Sequence, residues 1–235
     1  MELMAHRGAS GLAPENTLAA FARCLEYDPE WIELDVHASA DGAIIVMHDA
    51  TVDRTTDGSG AIADLTLAQL KRLDAGSWKG AEFAGEPVPT LEEVVALVGG
   101  RARLNVEIKA GPALAHVAAE VVAILRTGGC LPCSMVSSFD VAAVKAVQAL
   151  TDEPSLALIT GKADDLKIAI AEGFGWLNLH FGGVDAALVG AAHAAGVNVC
   201  AWTINDLSRW DEFAALGVDV FCTDMPHLAR RSEGE

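Results

Sequence analysis

The sequence predicts an α/β fold, a closed (β/α)₈ barrel of parallel strands surrounded by helices. Short β-branched or apolar runs alternate along the chain with Ala- and Leu-rich amphipathic stretches, which is the pattern of repeated βα units. Eight such runs occur in 235 residues, a length that α/β barrels commonly use as one domain. The alternative, an open doubly wound sheet, is disfavoured because Gly8 and Gly11 lack the spacing of its dinucleotide-binding motif.

The predicted strands are short, and the predicted helices lie between them. The strands cover residues 2–6, 31–37, 104–109, 135–139, 155–160, 176–180, 198–204 and 218–223. The helical patterns cover residues 16–26, 91–98, 113–126, 141–150, 163–172, 185–195 and 206–215. Several of these helices begin at Asp, Asn or Pro and close at Gly, which are helix start and stop signals. The repeated order of strand and helix favours a parallel barrel.

Residues 41–90 interrupt this alternation. They carry turns, a hairpin-like strand and one short helical pattern at residues 67–73. The segment is too long for an ordinary βα loop. We therefore predict one domain over residues 1–235, with residues 41–90 as an insertion after the second strand. Such an insertion would lie over the C-terminal mouth of the barrel, where enzymes of this fold carry their chemistry.

The composition limits the partners of the protein. It has 33 acidic and 16 basic residues, a formal net charge of -17, which disfavours nucleic acid and anionic membranes as general partners. No apolar run approaches the roughly 18 residues of a membrane-spanning helix, so we expect no stable membrane insertion. The N-terminus lacks the basic start and long apolar stretch of a secretory signal peptide.

The cysteines indicate a reducing compartment. Their number is odd, and they are spread over a long chain, which is typical of free thiols in a cytoplasmic protein. Cys130 and Cys133 have redox spacing, but there is no second pair for a zinc site and no thioredoxin-like context. We interpret this pair as part of a turn that enters a strand.

Carboxylates follow one face of two predicted strands. Glu33, Asp35 and His37 alternate with apolar residues, and Glu107 and Lys109 repeat the pattern. Inward carboxylates repel each other unless a cation compensates them. Three carboxylates without a nearby thiolate are typical of a site for a hard divalent cation, Mg²⁺ or Ca²⁺. The alternative is an inward salt bridge of Glu33 and Asp35 with Lys109 or Arg7.

Two histidines are candidates for acid and base catalysis. His6 ends the first predicted strand, and His48 follows an apolar run in the inserted segment. A single histidine at a strand end is usually structural. Two histidines at the barrel mouth beside carboxylates favour a catalytic role. Cleavage of a phosphate ester needs a base for the nucleophile and an acid for the leaving oxygen, and imidazole can serve as either near neutral pH.

Short motifs in a fixed order resemble the glycerophosphodiester phosphodiesterase family. The first are His6-Arg7-Gly8, Pro14-Glu15-Asn16-Thr17, Glu33-x-Asp35-Val36, Asp41-Gly42, His48-Asp49 and Arg54-Thr55-Thr56. The later ones are Leu73-Asp74-Ala75-Gly76-Ser77-Trp78, Pro89-Thr90-Leu91, Glu107-Ile108-Lys109, Ser137-Ser138-Phe139, Trp202-Thr203-Ile204-Asn205 and Thr223-Asp224-x-Pro226. Each motif is weak alone, but the ordered set is specific and covers nearly the whole chain.

The resemblance implies a function and a role for each site residue. The implied reaction is metal-dependent hydrolysis of glycerophosphodiesters to sn-glycerol 3-phosphate and an alcohol, with the glycerol 2-hydroxyl or water as the expected nucleophile. The implied metal ligands are Glu33, Asp35 and Glu107. The implied acid and base are His6 and His48, and the implied substrate contacts are Arg7, Lys109 and Trp202. Glu15 is expected to support the metal site or to hold Arg7.

Two other functions stay open. One is phospholipase D-like activity on lysophospholipids, which would favour an apolar lid, and residues 61–73 are only modestly apolar. The other is a binding or structural barrel that has lost the chemistry. The second is disfavoured because the candidate acid, base and carboxylate residues are all present.

Overall fold

Eight parallel strands form a closed barrel in the computed structural model, which describes residues 1–111 and 113–232. With one further strand outside the barrel, β3, the strands of the described residues are β1 (Glu2–Ala5), β2 (Trp31–Ala38), β3 (Ile44–Val46), β4 (Arg103–Ile108), β5 (Met135–Ser138), β6 (Ser155–Thr160), β7 (Trp176–His180), β8 (Asn198–Trp202) and β9 (Val220–Thr223). β3 pairs antiparallel with β2. The other eight follow the order β1-β9-β8-β7-β6-β5-β4-β2 and close through a parallel β1–β2 pairing. The predicted (β/α)₈ TIM barrel is confirmed.

The helices pack around the barrel. They are α1 (Leu18–Cys24), α2 (Leu67–Leu70), α3 (Leu91–Val98), α4 (Leu114–Thr127), α5 (Val141–Gln148), α6 (Leu166–Glu172), α7 (Ala186–Ala194) and α8 (Trp210–Ala215). Side-chain caps fix several of their starts. Thr17 accepts a bond from the Ala20 N–H, and Asp185 accepts one from the Leu188 N–H.

Some element boundaries differ from the prediction. The strand predicted over residues 198–204 ends at Trp202, because the chain then turns to bring Asn205 against Thr223. The helix predicted from residue 16 begins at Leu18, since Thr17 has extended backbone and caps it. The helices predicted from residues 163 and 206 begin as short 3₁₀ turns before α6 and α8.

The barrel interior divides into an apolar end and a charged end. Ile32, Leu34 and Val36 of β2 are fully buried in the main core with the helices, which directs the alternating Glu33 and Asp35 into the barrel. At the N-terminal end of the strands, the interior is filled by Met4, Trp31, Met135, Ala157, Cys200, Val220 and Cys222. The carboxylates therefore lie toward the opposite, C-terminal mouth.

The segment 41–90 has an apolar cluster of its own. The cluster consists of Ile45, Met47, Val52, Ile62, Leu70, Ala75 and Val88. The segment joins the barrel where β3 pairs with β2 and where the Met47 N–H donates to the Asp35 carbonyl. This attachment brings the next residue, His48, to the barrel mouth. The assignment of residues 1–235 to a single domain stays a prediction.

No helix among the described residues combines the length and the hydrophobicity that a membrane span requires.

Candidate active site

Three carboxylates meet where β2 and β4 lie side by side. The register pairs Asp35 with Glu107 and Glu33 with Asn105. Glu33, Asp35 and Glu107 each direct an oxygen into a group whose atoms lie within 4.8 Å of one another, and all three residues are buried. Burial raises the pKa of Glu33 and of Glu107, and the charge of Asp35 raises both further. The cluster is therefore short of positive charge.

Two cations face this cluster. Lys109 Nζ lies 2.7 Å from Asp35 Oδ1 and donates to Glu107 Oε1, while Arg7 Nε lies 3.4 Å from Asp35 Oδ2. Burial alone would raise the pKa of Asp35, but Lys109 and Arg7 outweigh it and hold that pKa well below its usual range. The inward salt bridge considered from the sequence is thus formed around Asp35.

The donor set fits a hard divalent cation. All three groups are oxygen donors, and Lys109 and Arg7 leave Glu33 and Glu107 with raised pKa values. A buried carboxylate whose pKa rises in this way is favoured in its charged form when a cation is added. Oxygen-only coordination is the preference of Mg²⁺ and Ca²⁺. The residues present therefore suit such an ion better than a soft transition metal.

A tight turn after β1 positions Arg7. Arg7 and Gly8 have left-handed backbone, with φ of 54° and 78°. A Cβ on Gly8 would lie 2.8 Å from the Ala20 carbonyl carbon, so only glycine fits there. The turn directs the Arg7 N–H to Glu33 Oε2 at 2.8 Å, and the Arg7 side chain donates to Glu15 Oε1 at 2.9 Å. Of the two roles considered for Glu15, the structure has it holding Arg7.

His6 follows β1 and is held by a residue from the far end of the chain. Its Nδ1 lies 2.6 Å from Asp224 Oδ1, and its Nε2 lies 4.0 Å from Glu33 Oε2. Asp224 also accepts bonds from Ser10 Oγ at 2.9 Å and from Asn205 Nδ2 at 2.6 Å. Burial opposes the charged imidazole, but Asp224 and Glu33 outweigh it, and the pKa of His6 is raised.

His48 lies on the inserted segment and has a carboxylate partner of its own. Its Nδ1 lies 2.6 Å from Asp49 Oδ1. Burial lowers the pKa of His48 below its usual value, although Asp35 and Asp49 oppose this shift. Both histidines thus have Nδ1 bound to a carboxylate, which fixes the ring and leaves Nε2 as the nitrogen available for proton exchange.

A cavity of about 220 Å³ joins these groups. Its lining includes His6, Arg7, Glu33, His48, Glu107 and Trp202, all of them predicted site residues. Asp35 and Lys109 do not line the cavity, but Lys109 contacts both Asp35 and Glu107 beside it. His37, which shares the strand face of Glu33 and Asp35, does not line the cavity, and its Nε2 lies 3.2 Å from the His48 carbonyl.

Aromatic rings form one wall of the cavity. Trp202, at the end of β8, donates from Nε1 to the Asn178 carbonyl at 2.9 Å, which fixes its indole. The Phe139 ring meets Trp202 edge-on with centroids 5.7 Å apart and is 54% exposed. Phe139 and Trp202 both line the cavity, so a ligand bound there can lie against their rings.

Comparison with known proteins identifies the family. The model of the Glycerophosphoryl diester phosphodiesterase family matches residues 6–228. This chain belongs to that family. It is 37% identical over 231 residues to YhdW of Bacillus subtilis (strain 168), covering 96% of this chain and 95% of that protein. It is 35% identical over 228 residues to the glycerophosphodiester phosphodiesterase of Caldanaerobacter subterraneus subsp. tengcongensis, covering 95% of this chain and 94% of that protein.

A solved structure gives a close structural match. It is a phosphodiesterase of Oleispira antarctica in complex with the product sn-glycerol-3-phosphate. The TM-score is 0.94 at 33% sequence identity, covering 100% of this chain and 97% of that chain. The resemblance recognised from the sequence is confirmed, and so is the enzyme class, a glycerophosphodiester phosphodiesterase.

Two residues of the site had no role assigned from the sequence. Asp49 and Asp224 belong to motifs that carry the resemblance, yet only the structure reveals them as the partners of the two histidines. Asp49 could have been found, because it directly follows His48. Asp224 lies 218 positions from His6, so no local pattern joins them.

Proposed function

We propose that this enzyme hydrolyses glycerophosphodiesters to sn-glycerol 3-phosphate and an alcohol, using His6 and His48 as acid and base in a metal-dependent reaction. The observation that carries the proposal is the cavity itself. Two imidazoles, each with a carboxylate at Nδ1, line the same cavity as Arg7 and two carboxylates of the cluster. The product bound to the Oleispira antarctica phosphodiesterase supports the choice of substrate.

The proposed metal ligands are Glu33, Asp35 and Glu107. When bound, Mg²⁺ or Ca²⁺ supplies positive charge that offsets the charge developing on the phosphate oxygens. Arg7 adds a fixed guanidinium, which can donate to two oxygens of a phosphate at once. Lys109 adds a point charge. Its bonds to Asp35 and Glu107 hold the ammonium group at the edge of the carboxylate cluster.

The two histidines are proposed to move the protons. One Nε2 takes a proton from the attacking hydroxyl, and the other gives a proton to the departing alkoxide. With Nδ1–H bound to Asp224 or Asp49, neither ring can turn its other nitrogen toward the substrate without breaking a short hydrogen bond. Trp202 is proposed to form the wall against which the substrate lies.

Two routes differ in the attacking oxygen. In the first, the glycerol 2-hydroxyl attacks and gives a cyclic phosphate that water then opens. In the second, water attacks the phosphodiester directly. An attached hydroxyl has the advantage of a high effective molarity. A 2-deoxyglycerol analogue of the substrate separates the two routes. Orders of magnitude slower turnover at saturation would favour the hydroxyl route. A loss of only about 0.5–1.5 kcal/mol in transition-state stabilisation would favour water.

The proposal is tested with glycerophosphocholine and an assay for released sn-glycerol 3-phosphate. We expect turnover that stops in excess chelator and returns with Mg²⁺ or Ca²⁺. Undiminished turnover in chelator would overturn the metal, and absence of the product would overturn the substrate class. Lysophosphatidylcholine serves as the comparison substrate, because faster choline release from it would favour the phospholipase D-like alternative.

We also propose a cytoplasmic location and a small-molecule substrate as the partner. The five cysteines are free thiols, which supports a cytoplasmic enzyme. The net charge of -17 supports a small-molecule substrate rather than nucleic acid as the partner.

A further inference from the structure

Arg54 joins two carboxylates that belong to different parts of the chain. Its Nε donates to Asp49 Oδ2 at 2.7 Å, and its Nη2 donates to Asp49 Oδ1 at 3.1 Å. Its Nη1 donates to Glu15 Oε2 at 3.0 Å, and Nη2 also donates to Glu15 Oε1 at 2.8 Å. One planar guanidinium thus donates hydrogen bonds to both oxygens of both carboxylates, a geometry that lysine cannot reproduce.

The two carboxylates lead to different groups of the active site. Asp49 binds Nδ1 of His48 at 2.6 Å, and Glu15 binds Nη1 of Arg7 at 2.9 Å. A continuous chain of hydrogen bonds therefore runs from His48 on the inserted segment to Arg7 on the loop after β1. Arg54 does not line the cavity, so it reaches the site through these two carboxylates.

We propose that Arg54 is a positioning residue, which holds the Asp49–His48 pair in register with Arg7 by clamping Asp49 to Glu15. The proposal rests on the proposed function of His48. Exposed ion pairs add little to stability, and the Arg54 side chain is 45% exposed. Its effect is therefore expected on the geometry of the site rather than on the folding free energy, because small displacements of catalytic groups lower the rate strongly.

The first test compares variants on glycerophosphocholine at saturating Mg²⁺. We expect Arg54→Gln to lower kcat by roughly 10- to 100-fold with a smaller change in KM, and Arg54→Lys to recover only part of the loss. The control is Arg126→Gln, which also removes an exposed arginine and its bond to a carboxylate, Glu153. Arg126 is 52% exposed and lies in the last turn of α4, so wild-type kcat is expected for it. Equal activity of Arg54→Gln and Arg126→Gln would overturn the proposal.

The second test asks whether Arg54 acts through His48. In a His48→Ala background, Arg54→Gln is expected to cause no further loss, whereas in a His6→Ala background it is expected to cause its full loss. A full further loss without His48 would overturn the proposal, because Arg54 would then affect the rate by a route that does not pass through His48, such as Glu15 and Arg7.

A third measurement does not depend on activity. The Nδ1–H proton of His48, identified by its loss in His48→Ala, should give a downfield NMR signal in the wild type. We expect this signal to weaken or vanish in Arg54→Gln, while the corresponding signal of His6 persists. An unchanged His48 signal would overturn the proposal. If the wild type fails to cleave any glycerophosphodiester, the proposed function fails, but this comparison still decides the role of Arg54.

Discussion

The two histidines of the site are held in different ways. The side chain of His6 is 18% exposed, and its partner Asp224 is fixed by the neutral donors Ser10 and Asn205. The side chain of His48 is 35% exposed, and its partner Asp49 is fixed by the guanidinium of Arg54. The barrel half of the site, His6 with Asp224, therefore depends on burial and neutral hydrogen bonds, whereas the inserted half, His48 with Asp49, depends on charge.

This difference follows from where each half lies. The loops after β1 and β9 are joined by backbone bonds, such as the His6 N–H to the Thr223 carbonyl at 2.9 Å, so their side chains need little further restraint. The inserted segment reaches the barrel through β3 and has a separate, smaller apolar cluster. Charge-assisted bonds are stronger than neutral ones, but salt screens them at an exposed site.

The largest expected effect comes from the carboxylate cluster that both halves share. Glu33→Gln, Asp35→Asn or Glu107→Gln should each act like chelation and remove nearly all turnover, because both histidines then face a site without its metal. An activated leaving group should rescue none of them. Full activity of all three variants in excess chelator would contradict the metal site, and circular dichroism checks that the fold survives.

The next effect separates the two halves. His6→Ala and His48→Ala should each lower kcat by roughly 10²-fold or more, the scale of a positioned acid or base. A substrate with a p-nitrophenol leaving group should rescue the variant that lacks the acid and leave the other impaired. Kinetics with both substrates measure this, and equal rescue of the two variants would contradict separate roles.

A smaller effect is expected when the carboxylate partners are changed. Asp224→Asn and Asp49→Asn should each lower kcat by roughly 10- to 100-fold, since an amide no longer favours the Nδ1–H form of the ring. Salt should then tell the halves apart at saturating Mg²⁺. At about 1 M salt, exposed charges more than about 3 Å apart are largely screened. When salt is raised from a low concentration to this value, kcat of the wild type and of Asp224→Asn should fall. That of Asp49→Asn should change less, and an equal salt effect in all three would remove the distinction between the halves.

The sequence predicted one part of this site better than the other. Period-2 alternation was sufficient to direct Glu33 and Asp35 into the barrel, because a strand alternates its faces strictly. The position of Glu107 beside Asp35 depends on the register of β2 and β4, which a resemblance can supply but a single strand cannot. The clamp by Arg54 depends on its contact with Glu15, which lies 39 positions away in the sequence, and no local sequence pattern predicts such a contact.

The smallest expected effect concerns the aromatic wall, which lies on the barrel side of the cavity. Phe139 meets Trp202 edge-on at 5.7 Å and is 54% exposed, so we expect a bound substrate head group to lie against its ring. An aromatic contact of this kind contributes about 0.5–1.5 kcal/mol. Phe139→Ala should therefore raise KM for glycerophosphocholine by roughly 2- to 10-fold and leave kcat near the wild-type value, because a phenyl ring cannot itself donate or accept a proton in the reaction. Leu150→Ala is the matched control, since Leu150 is another large apolar residue that is 50% exposed and does not line the cavity. A fall in kcat as large as the rise in KM would mean that Phe139 helps to place the histidines, and the barrel half would then depend on more than its buried hydrogen bonds.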